Sequence, residues 1–165
     1  MKNLLVILIM LLSFNSFSQI DIKAKTVLSK FILGFDTEKT LKEKIDMNGL
    51  NSYDFDDVNK ITRITLDEYF YKQRAVKVVL LLVNNDLYGV KYYPKNENTY
   101  QKYLNLLDKN YNRLNVQGSD YESWFNSYIE IFYELDPTDI NGNFDEYFIH
   151  YDSELLKKYP QYKTF

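Results

Sequence analysis

The stretch Val76-Lys77-Val78-Val79-Leu80-Leu81-Leu82-Val83 constrains this chain more than any other. It is apolar at every position but Lys77 and does not alternate, which is the pattern of a strand covered on both faces and therefore central in its sheet. It is far shorter than the roughly 20 apolar residues that a membrane-spanning helix needs. Asn84-Asn85-Asp86 follows with the chemistry of a tight hairpin turn, and Leu87-Tyr88-Gly89-Val90-Lys91-Tyr92-Tyr93 reads as the returning strand. Pro94, which cannot donate to a ladder, ends it. Gly89 inside that strand marks a bulge or a close approach by another backbone or a ligand.

A second hairpin is written further on. Trp124 to Leu135 alternates, with Ile129, Ile131, Tyr133 and Leu135 on one face and Tyr128, Glu130, Phe132 and Glu134 on the other. Pro137 closes that strand, Asn141-Gly142 supplies a hairpin turn, and Phe144 to Tyr151 returns. Ile61 to Leu66 and Glu68 to Tyr71 add β-rich character before the first hairpin.

Three helices are expected. Asp36-Thr37-Glu38 caps one over residues 37–48, ending at Asn48-Gly49. Asn96 or Asn98 caps another, in which Tyr100, Tyr103, Leu104, Leu107, Tyr111 and Leu114 recur at three- and four-residue steps. Ser153 opens a last short one, Glu154 to Tyr159, before Pro160. Ile20 to Phe35 shows no clean period.

The order of elements predicts an α+β domain with a largely antiparallel sheet and helices on one face. Val76 to Tyr93 matches Tyr128 to Tyr151 in pattern, giving two similar helix-plus-hairpin halves with little residue identity. This order is similar in architecture to that of small secreted bacterial domains of the β-lactamase-inhibitor-like and PepSY-like kind. The likeness carries over no residue.

Residues 1–18 are not counted as fold. Lys2, the apolar run Leu4 to Leu12 and the small polar segment Ser13 to Ser18 have the layout of a secretory signal peptide, with cleavage expected between Ser18 and Gln19. That leaves residues 19–165 as a single secreted domain, periplasmic or extracellular, with no membrane span after signal removal. Its 19 basic and 23 acidic residues give a net charge of -4, and it keeps all sixteen tyrosines.

Composition excludes several chemistries. The chain has no cysteine, hence no disulfide, thiolate metal site, cysteine nucleophile or acyl anchor. One histidine, His150, rules out a site built on two imidazoles. A mildly acidic chain does not suit phosphate-backbone binding, so no nucleic-acid partner is expected. There is no nucleophile elbow, phosphate-binding glycine loop or dinucleotide fingerprint, so neither a catalytic residue nor a cofactor is assigned.

Other constellations have plainer readings. His150 lies in an expected strand without a motif around it. Residues 136–145 are oxygen-rich like a calcium loop, but counting from Asp139 puts Phe144 and His150 where an EF-hand wants Gly and Glu. The acid pairs Asp56-Asp57, Asp67-Glu68, Glu130 with Glu134, and Asp145-Glu146 arise readily in a chain with 23 acids. Trp124 reads as a core anchor.

The tyrosines are the feature that could bind. Tyr69, Tyr71, Tyr88, Tyr92 and Tyr93 fall on neighbouring strands, and each offers a ring for stacking and a hydroxyl for hydrogen bonding. Tyr69, Tyr71, Tyr92 and Tyr93 are the candidate ligand-binding set. The expected function is a non-catalytic binding or interaction module with a protein or glycan partner. The alternative is a carbohydrate-binding protein or weak carboxylate-dependent hydrolase acting on envelope or extracellular polysaccharide.

Overall fold

The structure is a computed structural model that describes residues 22–28, 30–45, 50–57, 60–67, 70–71, 73–115, 122–137 and 144–162. The signal segment with Ser18 and Gln19, Tyr69 and the Asn141-Gly142 turn lie outside the described residues.

The run Val76–Val83 forms most of β6 (Gln73–Val83), which pairs antiparallel with β7 (Asp86–Pro94). Asn84 and Asn85 take φ of 51° and 72°, the left-handed pair that a two-residue hairpin turn requires. The register shifts where Leu81 faces Gly89 and Leu82 faces Leu87, so Tyr88 is the extra residue of a bulge. A Cβ on Gly89 would stand 3.2 Å from the His150 carbonyl oxygen and from the Tyr151 ring, so the neighbouring strand packs closely against this glycine.

Outside β6 and β7 the sheet grows in both directions. Strands β3 (Leu50–Asp56) and β4 (Ile61–Asp67) precede, with two-residue β5 (Phe70–Tyr71) alongside β6. Strands β8 (Asn112–Asn115), β9 (Glu122–Phe125), β10 (Ile129–Pro137) and β11 (Phe144–Asp152) follow. The spatial order is β3-β4-β6-β7-β11-β10-β9-β8, all antiparallel. Helix α1 (Glu38–Lys44) leads into the first four strands of that path and α2 (Glu97–Asn110) into the last four. The same layout therefore occurs twice, and the halves meet where β7 pairs β11. A separate small hairpin, β1 (Thr26–Val27) with β2 (Phe31–Ile32), precedes α1.

Both faces of β6 are indeed covered. On one side Val78, Leu80 and Leu82 join Leu41 and Ile45 from the α1 region, Tyr103 and Leu107 from α2, and Phe31 and Leu33 from the small hairpin. On the other, Leu81 and Val83 join Tyr88, Tyr151 and Leu156 of the short helix α3 (Ser153–Lys158), with Tyr159 and Tyr162 after it. The two longer helices thus share a face, and α3 supplies the second layer that a two-sided apolar strand demands. Each fully buried Leu, Ile or Phe side chain contributes roughly 1.5–3 kcal/mol.

Four boundaries differ from expectation, one of them at α3, which Asp152 caps in place of Ser153 because its carboxylate accepts from the amides of Glu154 and Leu155. Thr37 caps α1 as expected, in a reciprocal arrangement with Thr40, but the helix stops at Lys44, short of residue 48, where Ile45 takes an extended backbone; the expected end at Asn48-Gly49 lies outside the described residues. Helix α2 stops at Asn110, so Leu114 belongs to β8 and is exposed. The segment read as one strand from Trp124 is two, because Asn126 Oδ1 accepts from the amides of Tyr128 and Ile129 and turns the chain.

Candidate functional site

The expected tyrosine face is not assembled. Successive strand residues point to opposite faces, and Tyr92 and Tyr93 do so, both buried. Tyr92 packs against Tyr103 of α2 in a tilted arrangement, with ring centroids 4.3 Å apart. Tyr93 lies on the other side, stacked on Tyr147 at 5.0 Å with the Lys77 ammonium 4.1 Å from its ring centroid. Tyr88 is buried in the α3 layer. Tyr71 sits in β5, with its side chain, like all of Tyr69, outside what is described.

Exposed rings occur instead on β3, a segment to which the sequence reading assigned no strand. Tyr53 pairs with Ile64 and Phe55 with Thr62, so both rings stand on the sheet face that carries α1. They are 46% and 51% exposed, against 4% or less for Tyr88, Tyr92 and Tyr93. Strand residues two apart lie about 7 Å from each other. Side chains from three elements surround the pair. Lys42 of α1 donates to Glu38 at 2.6 Å and holds its ammonium 5.5 Å from the Tyr53 ring centroid. Lys60, in the turn before β4, lies 5.9 Å from the Phe55 ring centroid.

Partial burial and then the Glu38 carboxylate, bonded to the Tyr53 hydroxyl, raise that hydroxyl's pKa, while Thr62 bonds it in the opposite sense. The hydrogen bond from Lys42 holds the Glu38 carboxyl below its ordinary range. Tyr53 thus has its hydroxyl beside Glu38 and its ring beside the Lys42 ammonium while staying 46% exposed, an arrangement that leaves ring surface for stacking against a ligand.

The reverse side of β3 is acidic. Asp54 is opposite Arg63 across the ladder, and the guanidinium lies 3.9 Å from Asp54 and 3.3 Å from Asp56. Asp57 pairs with Lys60. Of the expected acid pairs, Asp56-Asp57 is therefore engaged with cations. Glu134 accepts a hydrogen bond from the Tyr147 hydroxyl. Glu68 lies outside the described residues, as do the side chains of Asp67, Asp145 and Glu146. Among the described residues no group of three or more His, Asp or Glu side chains is placed to hold a metal ion.

Two buried polar centres lie elsewhere. His150 Nδ1 faces the Val90 carbonyl oxygen at 3.2 Å, and its Nε2 faces the Tyr103 hydroxyl at 2.7 Å. A carbonyl only accepts, so Nδ1 carries the proton and Nε2 accepts from Tyr103. Burial presses the imidazole pKa down to about 4, so the ring is neutral at pH 7 and serves the core. Lys25 and Asp152 form a second centre, joined at 2.8 Å. Trp124 is the core anchor that was expected, its Nε1 donating to Asp108 at 2.7 Å.

The missed strand carried a signal. Ser52-Tyr53-Asp54-Phe55-Asp56 alternates with period two, polar residues between aromatic ones. Neither the family models, nor the curated proteins, nor the solved structures contain a match to this chain.

Proposed function

We propose that the chain is an exported, non-catalytic binding module that works in the periplasm or outside the cell after losing residues 1–18, and that its contact surface is the α1–β3 edge. The observation that supports this most directly is the side-by-side exposure of Tyr53 and Phe55 in a chain whose central tyrosines are buried. Clustered aromatic rings beside fixed charges are the composition of recognition surfaces. Of the candidate acid pairs, Asp56, Asp57 and Glu134 are engaged with Arg63, Lys60 and Tyr147, which favours binding over carboxylate catalysis. Among the described residues no helix is long and apolar enough to cross a membrane.

The test is a pull-down from envelope extract, run beside a glycan array, with the wild-type chain and the double variant Tyr53→Ala/Phe55→Ala. Loss of the partner or glycan signal in the variant, with circular dichroism unchanged, is the expected result. Retention of every partner would remove β3 from the contact. Mass spectrometry of the exported chain is expected to find Gln19 as its first residue.

A further inference from the structure

The reading of the α1–β3 edge as a contact surface can be carried to the chemistry of its occupant. Strand β3 ends the sheet, with β4 as its neighbour on one side only among the described residues. Its residues Ser52, Tyr53, Asp54 and Phe55 are all exposed. The opposite end, β8, is only four residues long, which protects an edge, whereas charges occur on both edges, Arg113 there and Asp54 and Asp56 on β3, which also shifts register between Leu50 and Ser52. Strand β3 is seven residues long and presents large rings. An edge of that kind is a template for an added strand.

The two faces of such an added strand would meet different chemistry. Side chains on the α1 side would lie against Tyr53 and Phe55. Those on the reverse side would meet Asp54 and Asp56, two carboxylates against the one cation Arg63, with Asp54 69% exposed. We infer that β3 accepts an extended peptide segment whose residues alternate apolar and basic, adding it to the sheet through main-chain hydrogen bonds. The apolar residues stack on the two rings and the basic ones answer the net acidic rim.

The experiment titrates the isotope-labelled chain with an eight-residue capped peptide alternating valine and lysine. Controls are a valine–glutamate peptide and a valine–lysine peptide N-methylated at alternate amides. Amide shifts centred on β3 are expected. Affinity should fall about tenfold or more for the glutamate peptide, for the N-methylated peptide and for Asp54→Lys, the last judged on a chain with unchanged circular dichroism. Equal binding of the lysine and glutamate peptides, equal binding of the N-methylated peptide, or shifts elsewhere than β3 would overturn the inference. The readings separate cleanly. If all peptides fail while soluble oligosaccharides shift Tyr53 and Phe55, the contact surface stands and strand addition is wrong; if neither ligand perturbs β3, both fall.

Discussion

The Lys25 ammonium sits 2.8 Å from Asp152 Oδ2, with the two side chains 3% and 1% exposed. Asp152 has a second duty, since its other oxygen accepts from the amides of Glu154 and Leu155 and caps α3. Removing the lysine strands a buried carboxylate. Lys25→Met should cost about 3–5 kcal/mol in urea denaturation, the usual loss when one partner of a buried pair is deleted. The double variant Lys25→Met/Asp152→Asn should recover part of that, because Asn still caps. A single-variant cost below about 1 kcal/mol would show that the pair is not buried in solution.

Gly34 stands against the same carboxylate. Its φ is +73°, and a Cβ there would approach Asp152 Oδ2 to 2.7 Å. Gly34→Ala combines a left-handed backbone that disfavours a side chain with a collision at a buried ion pair. A loss of about 2–4 kcal/mol is expected, read from the denaturation midpoint. Wild-type stability in this variant would be incompatible with the packing described.

Acid should weaken the fold through His150. Its folded pKa, about 4, lies below the unfolded value of 6.5. The folded state therefore prefers the neutral ring, and the stability that goes with it is complete above pH 6.5. It is lost as pH falls from there through about 4, where the ring protonates even when folded. His150→Gln should shed the proton uptake on unfolding that belongs to this ring, flattening the slope of unfolding free energy between pH 6.5 and 5. An unchanged slope would place the titrating group elsewhere.

Tyr92 and Tyr103 pack ring against ring but differ at their hydroxyls. The Tyr103 hydroxyl bonds His150, whereas the buried Tyr92 hydroxyl has no hydrogen-bond partner among the described residues. Tyr103→Phe should cost about 1–3 kcal/mol by leaving Nε2 unsatisfied. Tyr92→Phe should cost nothing, or stabilise by about 1 kcal/mol, since it removes a desolvated group. Guanidinium midpoints of the two variants in parallel settle the comparison. The reverse ranking would contradict the assignment.

The central hairpin was legible because its information is local. Val76–Val83 carries no polar face, and Asn84-Asn85 tolerates two positive φ values in succession. The β9–β10 break was harder to see, yet parity contains it. Trp124 and Ile129 are five residues apart and are buried in the same core, which an unbroken strand cannot achieve. Leu114 continued a helical spacing past the point where α2 stops, because apolar spacing by itself does not mark a helix end.

The candidate site was legible only in part. Composition announced tyrosines without saying which are covered, and that depends on α2 and α3 closing over opposite faces. Tyr92 and Tyr93 are adjacent, so one strand could never present both to a single ligand. Tyr53 and Phe55, spaced by two, could share a face, and they do. The Lys25–Asp152 pair was beyond sequence reasoning altogether, as it joins residues 127 positions apart.

That separation fixes an order of assembly. Hairpins β6–β7 and β10–β11 join near neighbours along the chain and can close early, while β7 must wait for β11 across an intervening helix and three strands. The ammonium of Lys25, among the first described residues to leave a ribosome, finds its carboxylate only after nearly the whole chain has followed. Until then the small hairpin and Gly34 can close only upon β6 and β7, through Phe31, Leu33 and the backbone of Leu87, so the tie to the far end of the chain is the last to set. A chain shortened before Asp152 would keep the residues of every strand pair but Ile129 with Asp152, yet would lack both the α3 layer and the latch between its beginning and its end.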